Sequence, residues 1–261
     1  MILLDDKQVE ALEARRQAEE QDQLNQEPPP TYASLQTAQS SSEIVAKTVN
    51  FVSISRVHHS VKETLILDPS LFVPIFLRPP LLPDETEETR KNLRLESTHG
   101  HVYADVTLIP ARDDSADAAG SSKRNKRVVM HMKSTHGGIT AKIHGRPGRS
   151  SFVLHAQALN GEIRLHIPST FHGPVIVSHR HGFVRFSEAI SRNLTTFGEV
   201  DSTRRCFLGD FSRWSEAGDG WTGDELVVEV RHGNVKIHYD DDAVGSPVKT
   251  RPTLLNRIFG F

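Results

Sequence analysis

Residues 93–106 read LRLESTHGHVYADV, and residues 128–143 read VVMHMKSTHGGITAKI. Both place Ser-Thr-His-Gly between two arms in which apolar and polar residues alternate. With the glycine as origin, five positions share one pattern: Gly100, Gly137, Gly161, Gly182 and Gly233. Seven residues before them stand Leu93, Met130, Leu154, Val175 and Leu226, and five before stand Leu95, Met132, Ala156, Val177 and Val228. Two residues after stand Val102, Ile139, Ile163, Val184 and Val235, and four after stand Ala104, Ala141, Leu165, Phe186 and Ile237. The spacing of two is the strand period, so each arm turns one apolar face inward.

A turn joins the arms. Glycine adopts positive φ without steric cost, and the preceding His99, His136, Asn160, His181 or His232 is of a type that tolerates turn conformations. Two geometries fit. In a two-residue hairpin the arms pair with each other. At a corner of a β-solenoid they pair instead with neighbouring units. The shorter glycine gaps, 24 (137 to 161) and 21 (161 to 182), are of solenoid-repeat size. The longer gaps contain insertions, at 113–126 and 187–224. A weaker unit, with Val52, Ile54 and Val61, has His59 in place of the glycine.

The Gly-x-Ile/Val strands resemble adhesin-like β-repeats of bacterial proteins. The span from Asn50 to Tyr239 resembles, more closely, an uncharacterised domain of basidiomycete fungal proteins. Asn50-Phe51, Leu67-Asp68-Pro69-Ser70-Leu71, Phe207-Leu208-Gly209-Asp210, Trp214, Trp221-Thr222-Gly223-Asp224 and Gly233-Asn234-Val235 carry that resemblance. It implies the β-repeat fold and brings no catalytic residues.

The expected fold is all-β, either β-solenoid-like or a two-sheet β-repeat domain over 49–240, after a disordered or partly helical arm (1–48) and before a disordered tail (241–261). Hydrophobic content of 37% is low for a fully globular chain, which fits disordered flanks. A net charge of −2 gives no global pull toward nucleic acid or anionic membrane. One cysteine, Cys206, excludes an internal disulfide framework and reads as a buried small residue. MILLDDKQVE lacks a signal-peptide core, and no apolar run reaches membrane-spanning length, so no stable membrane insertion is expected. The expected location is cytoplasmic, with the nucleus as the other possibility.

Within the arm, Pro29-Pro30-Thr31-Tyr32 is a PPxY sequence. Prolines favour the polyproline conformation, which loses little entropy on binding. Such peptides resemble ligands of WW domains, so Pro29, Pro30 and Tyr32 are the candidate partner-binding residues, and WW-bearing ubiquitin ligases the class of partner. A stiff linker is the competing reading.

Leu65–Leu82 is apolar and punctuated by Pro69, Pro74, Pro79 and Pro80. It reads as a strand followed by an extended segment covering the end or side of the stack; an exposed binding groove is the alternative. Trp214, Trp221, Phe207 and Phe211 either cap the core or line a pocket. Lys123–Arg127 is basic and reads as a solvated loop. The tail places Leu254, Leu255, Ile258 and Phe259 at helical spacing.

Fourteen histidines raise a metal hypothesis. Tight ligand spacing is missing, turn chemistry explains the positions, and no metal or cofactor is expected. Asp201, Asp210, Glu216, Asp219 and Asp224 offer carboxylates for a glycosidase-like pair, but the default is solvated loop acids. The favoured function is therefore a non-enzymatic scaffold or protein-interaction module. The alternatives are an enzyme acting on a polymer or carbohydrate along a β-helix face, and an adhesin-like surface protein.

Overall fold

The structure, a computed structural model, describes residues 46–83, 85–110, 127–212, 214 and 220–242. The chain is mostly β, in two sheets. The first sheet holds β1 (Lys47–Val49), β3 (Val61–Leu67), β5 (Val102–Leu108), β7 (Ile139–Gly145), β9 (Ile163–Ile167), β11 (Val184–Phe186) and β15 (Val235–Tyr239). The second holds β2 (Val52–Arg56), β4 (Leu93–Ser97), β6 (Val128–Ser134), β8 (Phe152–Asn160), β10 (Gly173–His181), β12 (Leu194–Val200), β13 (Thr203–Leu208) and β14 (Glu225–His232). A short helix, α1 (Glu188–Arg192), starts at Ser187, whose hydroxyl accepts from the Ile190 N–H. Among the described residues neither sheet closes on itself.

Each turn glycine passes the chain from the second sheet to the first. The two arms around Gly100, β4 and β5, share no ladder; β4 pairs with β2 and β6, and β5 with β3 and β7. The hairpin alternative is thereby excluded. The arms pair in parallel with their counterparts, in register: Leu93 with Met130, Met130 with Leu154, Leu154 with Leu226, and Leu226 with Val175. Val102, Ile139, Ile163, Val235 and Val184 form the matching row in the first sheet. The apolar positions thus stand in columns. All are buried except Val184 and Phe186, which lie in the short edge strand β11 and are partly covered. The His59 unit also exists, as β2 and β3, but places Glu63 beside Ala104 in the inward column.

The stacking order departs from the chain order. β14 lies between β8 and β10, and β15 between β9 and β11. The unit of Gly233 therefore sits inside that of Gly182. The chain lays down β10 and β11, adds the antiparallel β12–β13 pair along the outer edge of β10, then returns to fill the gap.

The glycines are required by close approach. A Cβ on Gly137 would lie 2.3 Å from the Gly100 carbonyl oxygen, and one on Gly161 would lie 2.4 Å from that of Gly137. Gly161 and Gly233 also have positive φ, at 153° and 157°. Gly100 and Gly137 do not, so the positive φ expected at those turns is replaced by a steric reason. The Ser-Thr-His-Gly serines secure the same column. Ser134 Oγ donates to the Gly100 carbonyl at 3.0 Å and accepts from the Gly137 N–H at 3.1 Å. Ser97 does likewise with the His59 carbonyl and the Gly100 N–H.

Polar residues secure the opposite strand ends. The Asn92 side chain donates to Asn50 Oδ1 at 2.7 Å and accepts from the Val129 N–H at 2.8 Å. Asp224, which leads into β14, meets Arg149 through two hydrogen bonds of 2.7 and 2.5 Å and accepts the N–H groups of Phe152 and His172. The Arg149 and Asp224 side chains are only 8% and 5% exposed. A carboxylate so buried is stable only when its acceptor sites are filled, and here they are.

On the outer face of the second sheet, His131 stands in register between Arg94 and His155. Burial lowers its pKa from 6.5 to about 4, against the opposing pull of Glu96, and its Nδ1 is buried without a hydrogen-bond partner.

Two outcomes follow from this packing. Gly137→Val should cost more than about 3 kcal/mol or abolish folding, because backbone must move to admit the side chain. Gly198→Ala, where an added Cβ meets nothing within 4 Å, should stay within about 0.5 kcal/mol in urea unfolding. A tolerant Gly137 would refute the column. The second outcome concerns pH. The unfolded chain takes up a proton at the imidazole near pH 6.5, whereas folded His131 does so only near 4. Stability therefore falls as pH drops through that window, by roughly 2–3 kcal/mol from this residue. His131→Gln should flatten the slope of urea midpoint against pH between those values; an unchanged slope would assign it to other groups.

Candidate functional site

Among the described residues, two groups of neighbouring apolar side chains are exposed. The first follows β3. Prolines 69, 74, 79 and 80 cannot donate to a ladder, so the segment after Leu67 cannot extend the sheet. It leaves the domain edge and makes one 3-10 turn over Ile75–Leu77. Phe72 and Ile75 are each 78% exposed, Phe76 84% and Leu77 65%. The expectation that this stretch covers the stack is thus corrected: its apolar side chains point away from the core.

The base of this finger is fixed. Asn50 Nδ2 donates to the carbonyls of Pro69 and Leu71, and Arg78 Nε donates to the Val73 carbonyl at 2.7 Å. Arg78 and Arg90 both pair with Glu87, at 3.2 and 2.6 Å, and Arg90 also donates to the Pro79 carbonyl. Both guanidiniums lie over the Phe51 ring. The finger is a held protrusion with seven consecutive apolar residues, 71–77.

The second surface lies beside β12–β13. The ladder slips between Thr196 and Gly198, leaving Phe197 as an extra residue in β12, 58% exposed. Such bulges re-aim side chains at sheet edges. Phe197 packs on Phe211 at 4.8 Å, and buried Phe207 stands edge-on to Phe211, Trp214 and Trp221. Trp221 Nε1 donates to the Asp224 carbonyl at 3.0 Å, which fixes the indole. Arg127, Arg205 and Glu225 edge a cleft of about 510 Å³. Phe207, though buried, lines the cleft together with the partly exposed Phe211, Trp214 and Trp221. Cys206 is buried, with Sγ 3.5 Å from Thr196 Oγ1.

The turn histidines align. His58, His99 and His136 stack at 5.3 and 5.0 Å with planes 4° apart, and His181 stacks on His232 at 4.9 Å. Asn160 fills the gap beside His136. Imidazole lone pairs lie in the ring plane, so parallel rings this far apart cannot converge on one ion. Among the described residues no three His, Cys, Asp or Glu groups are placed to hold a metal.

The carboxylates are dispersed. Asp201 is in the β12–β13 turn, Asp210 accepts from the Ser212 N–H, and Asp224 belongs to the Arg149 pair. Glu216 and Asp219 lie outside the described residues, as do Pro29, Pro30 and Tyr32, the 113–126 insertion and residues 243–261 of the tail. Burial alone would raise the Glu162 pKa, but Lys236 and Arg164 outweigh it and hold the carboxyl low. Glu85 is likewise held low by Lys91 and the Leu82 N–H despite its burial. A general acid requires the opposite shift. Among the described residues no helix is long and apolar enough to cross a membrane.

Sequence reasoning put the turn glycines at the junctions of strands, where the structure also has them. It missed Phe197, because a bulge has no composition signal, and for Leu65–Leu82 it offered an exposed binding groove as the alternative to cover, not a protruding finger.

No curated protein and no solved structure matches the chain. A family model, that of the domain of unknown function DUF7330, matches residues 50–242. The match runs from the residue after β1 to just past β15, well over half of the sequence, and the chain therefore belongs to the DUF7330 family.

Proposed function

We propose that this domain is a non-catalytic protein-interaction module. Its successive turns build a solenoid-like scaffold whose finger, Leu71–Leu77, docks in an apolar groove of a partner protein. The observation that carries this reading is the exposure of Phe72, Ile75, Phe76 and Leu77 on a segment whose base is tied down by Asn50, Arg78 and Arg90. A pre-ordered loop loses little entropy on docking, and large apolar side chains supply most of the energy at interfaces. The aromatic cleft at Phe197 offers a second contact. The PPxY arm serves in this reading as an address for a WW-domain protein in the cytoplasm. A polymer-acting enzyme finds less support, since the described carboxylates sit on separate elements and several are bound to cations.

Replacing Phe72 and Phe76 by serine should leave unfolding within about 0.5 kcal/mol, because neither side chain is packed. The same variant should lose a partner that the intact chain captures from a fungal cytosolic extract, with affinity for that partner falling more than about tenfold. Matching capture profiles would refute docking through the finger. Separately, the full chain should bind a purified WW domain, and Tyr32→Ala should remove that binding; equal affinity would make the PPxY segment a linker.

A further inference from the structure

A cavity of about 760 Å³ lies elsewhere, on the outer face of the second sheet toward the turn ends of β6, β8, β14 and β10. Its size is that of a small-molecule site. One rung across these strands carries Lys133, Gln157, Glu229 and Ser178 in register. Nearer the turns stand Leu159, Arg231 and Arg180. The β12–β13 turn forms one wall. Its two residues, Asp201 and Ser202, both have positive φ, at 50° and 61°, where a glycine or asparagine is usual. The Ser202 carbonyl accepts from the His179 N–H at 2.9 Å, which fixes the turn against β10. Positive φ at both positions is what a two-residue turn between antiparallel strands requires.

The charges around the cavity are incompletely matched. Arg94, Arg127 and Arg204, on or beside the same sheet, each hold a carboxylate within 3.0 Å. Lys133, Arg180 and Arg231 hold none among the described residues, although Asp201 and Glu229 share the cavity with them. Glu229 instead accepts from Gln157 at 3.1 Å. His179, also in the lining, has Nδ1 buried without a hydrogen-bond partner. The site thus combines, among the described residues, three cations without a carboxylate partner, two carboxylates, the Ser202 and Thr135 hydroxyls, and the outward-facing Leu159 side chain.

We propose that this cavity binds a small hydroxylated anion, a sugar phosphate or a sugar acid. Lys133, Arg180 and Arg231 meet the acid group, as guanidinium and ammonium meet phosphate and carboxylate. Asp201 and Glu229 accept the hydroxyls, and Leu159 takes the C–H face of the ring. A simple anion satisfies only the cations, and a neutral sugar only the acceptors. This site is separate from the finger and the aromatic cleft and does not depend on their role.

The test is calorimetric titration of the full chain at low ionic strength with glucose 6-phosphate, galacturonic acid, glucose and inorganic phosphate. Glucose 6-phosphate or galacturonic acid should bind at least tenfold more tightly than glucose or phosphate, and the preferred one identifies the acid group. Arg180→Ala and Arg231→Ala, both at exposed positions, should each weaken that binding at least tenfold, and Lys133→Gln should weaken it too. Arg192→Ala, on α1, should leave it unchanged, as should the finger variant. Thermal unfolding of each variant confirms that it is folded. Absence of binding by every probe, or binding that survives both arginine substitutions, would overturn the proposal.

Discussion

The fold depends on one contact repeated along its turn edge, a glycine backbone lying directly against the carbonyl of the neighbouring turn. With an added Cβ the separation would be 2.3 Å at Gly137 and 2.0 Å at Gly233, so only hydrogen fits. This contact fixes the register. Once Gly137 sits on Gly100, Met130 must fall beside Leu93 and Ile139 beside Val102, and the apolar residues form columns. A slip of one residue would turn every column to solvent. The buried serines at 97 and 134 reinforce the contact by joining each turn to its neighbour. The histidine stack follows from the same geometry, since residues preceding superposed glycines superpose as well. Its regularity therefore needs no ligand to explain it.

This division explains where the uncommitted chemistry lies. The periodic part of the chain uses its polar groups internally, as in the Asn50–Asn92 pair and the Arg149–Asp224 pair. The exposed apolar groups occur where periodicity fails, whereas His131 Nδ1 and the cations Lys133, Arg180 and Arg231 stand on the repeating strands themselves. The finger follows a proline-broken strand, Phe197 sits at a ladder slip, and the cavity lies where β12–β13 overhangs the ends of β10 and β14.

Much of the fold is legible in the sequence because burial imposes a period of two, and the twenty apolar positions around the five glycines carry it. The choice between hairpin and corner is not legible there. Both put alternate residues inward, and only pairing partners distinguish them. The order of units is also hidden, since a glycine arm complementary to one neighbour is nearly complementary to all. The exposure of the finger is concealed for a different reason. An apolar, proline-rich run looks the same whether it covers a core or leaves it. The cavity has a faint signature: Arg180 and Arg231 stand two residues before Gly182 and Gly233, where the other units have Thr98, Thr135 and Leu159. Those two units are distant in the chain, so the signature gains meaning only from their adjacency in space.

The placement of β14 and β15 inside the stack alters how this protein can assemble. A simple repeat array zips from one end and can lose a terminal unit while the remainder survives. Here β14 and β15 lie between strands that precede them in the chain, so β8 and β10, and β9 and β11, have their facing edges paired only through the last repeat unit. β14 acts as a keystone, touching β8 and β10 along their lengths, with Asp224 latching its start to Arg149. Contacts of such long sequence separation form late and slow the folding reaction. The reward is kinetic. An element clamped on both sides cannot fray from an edge, so unfolding must open the middle of two sheets at once, and the native state is guarded by the height of that barrier as well as by its depth.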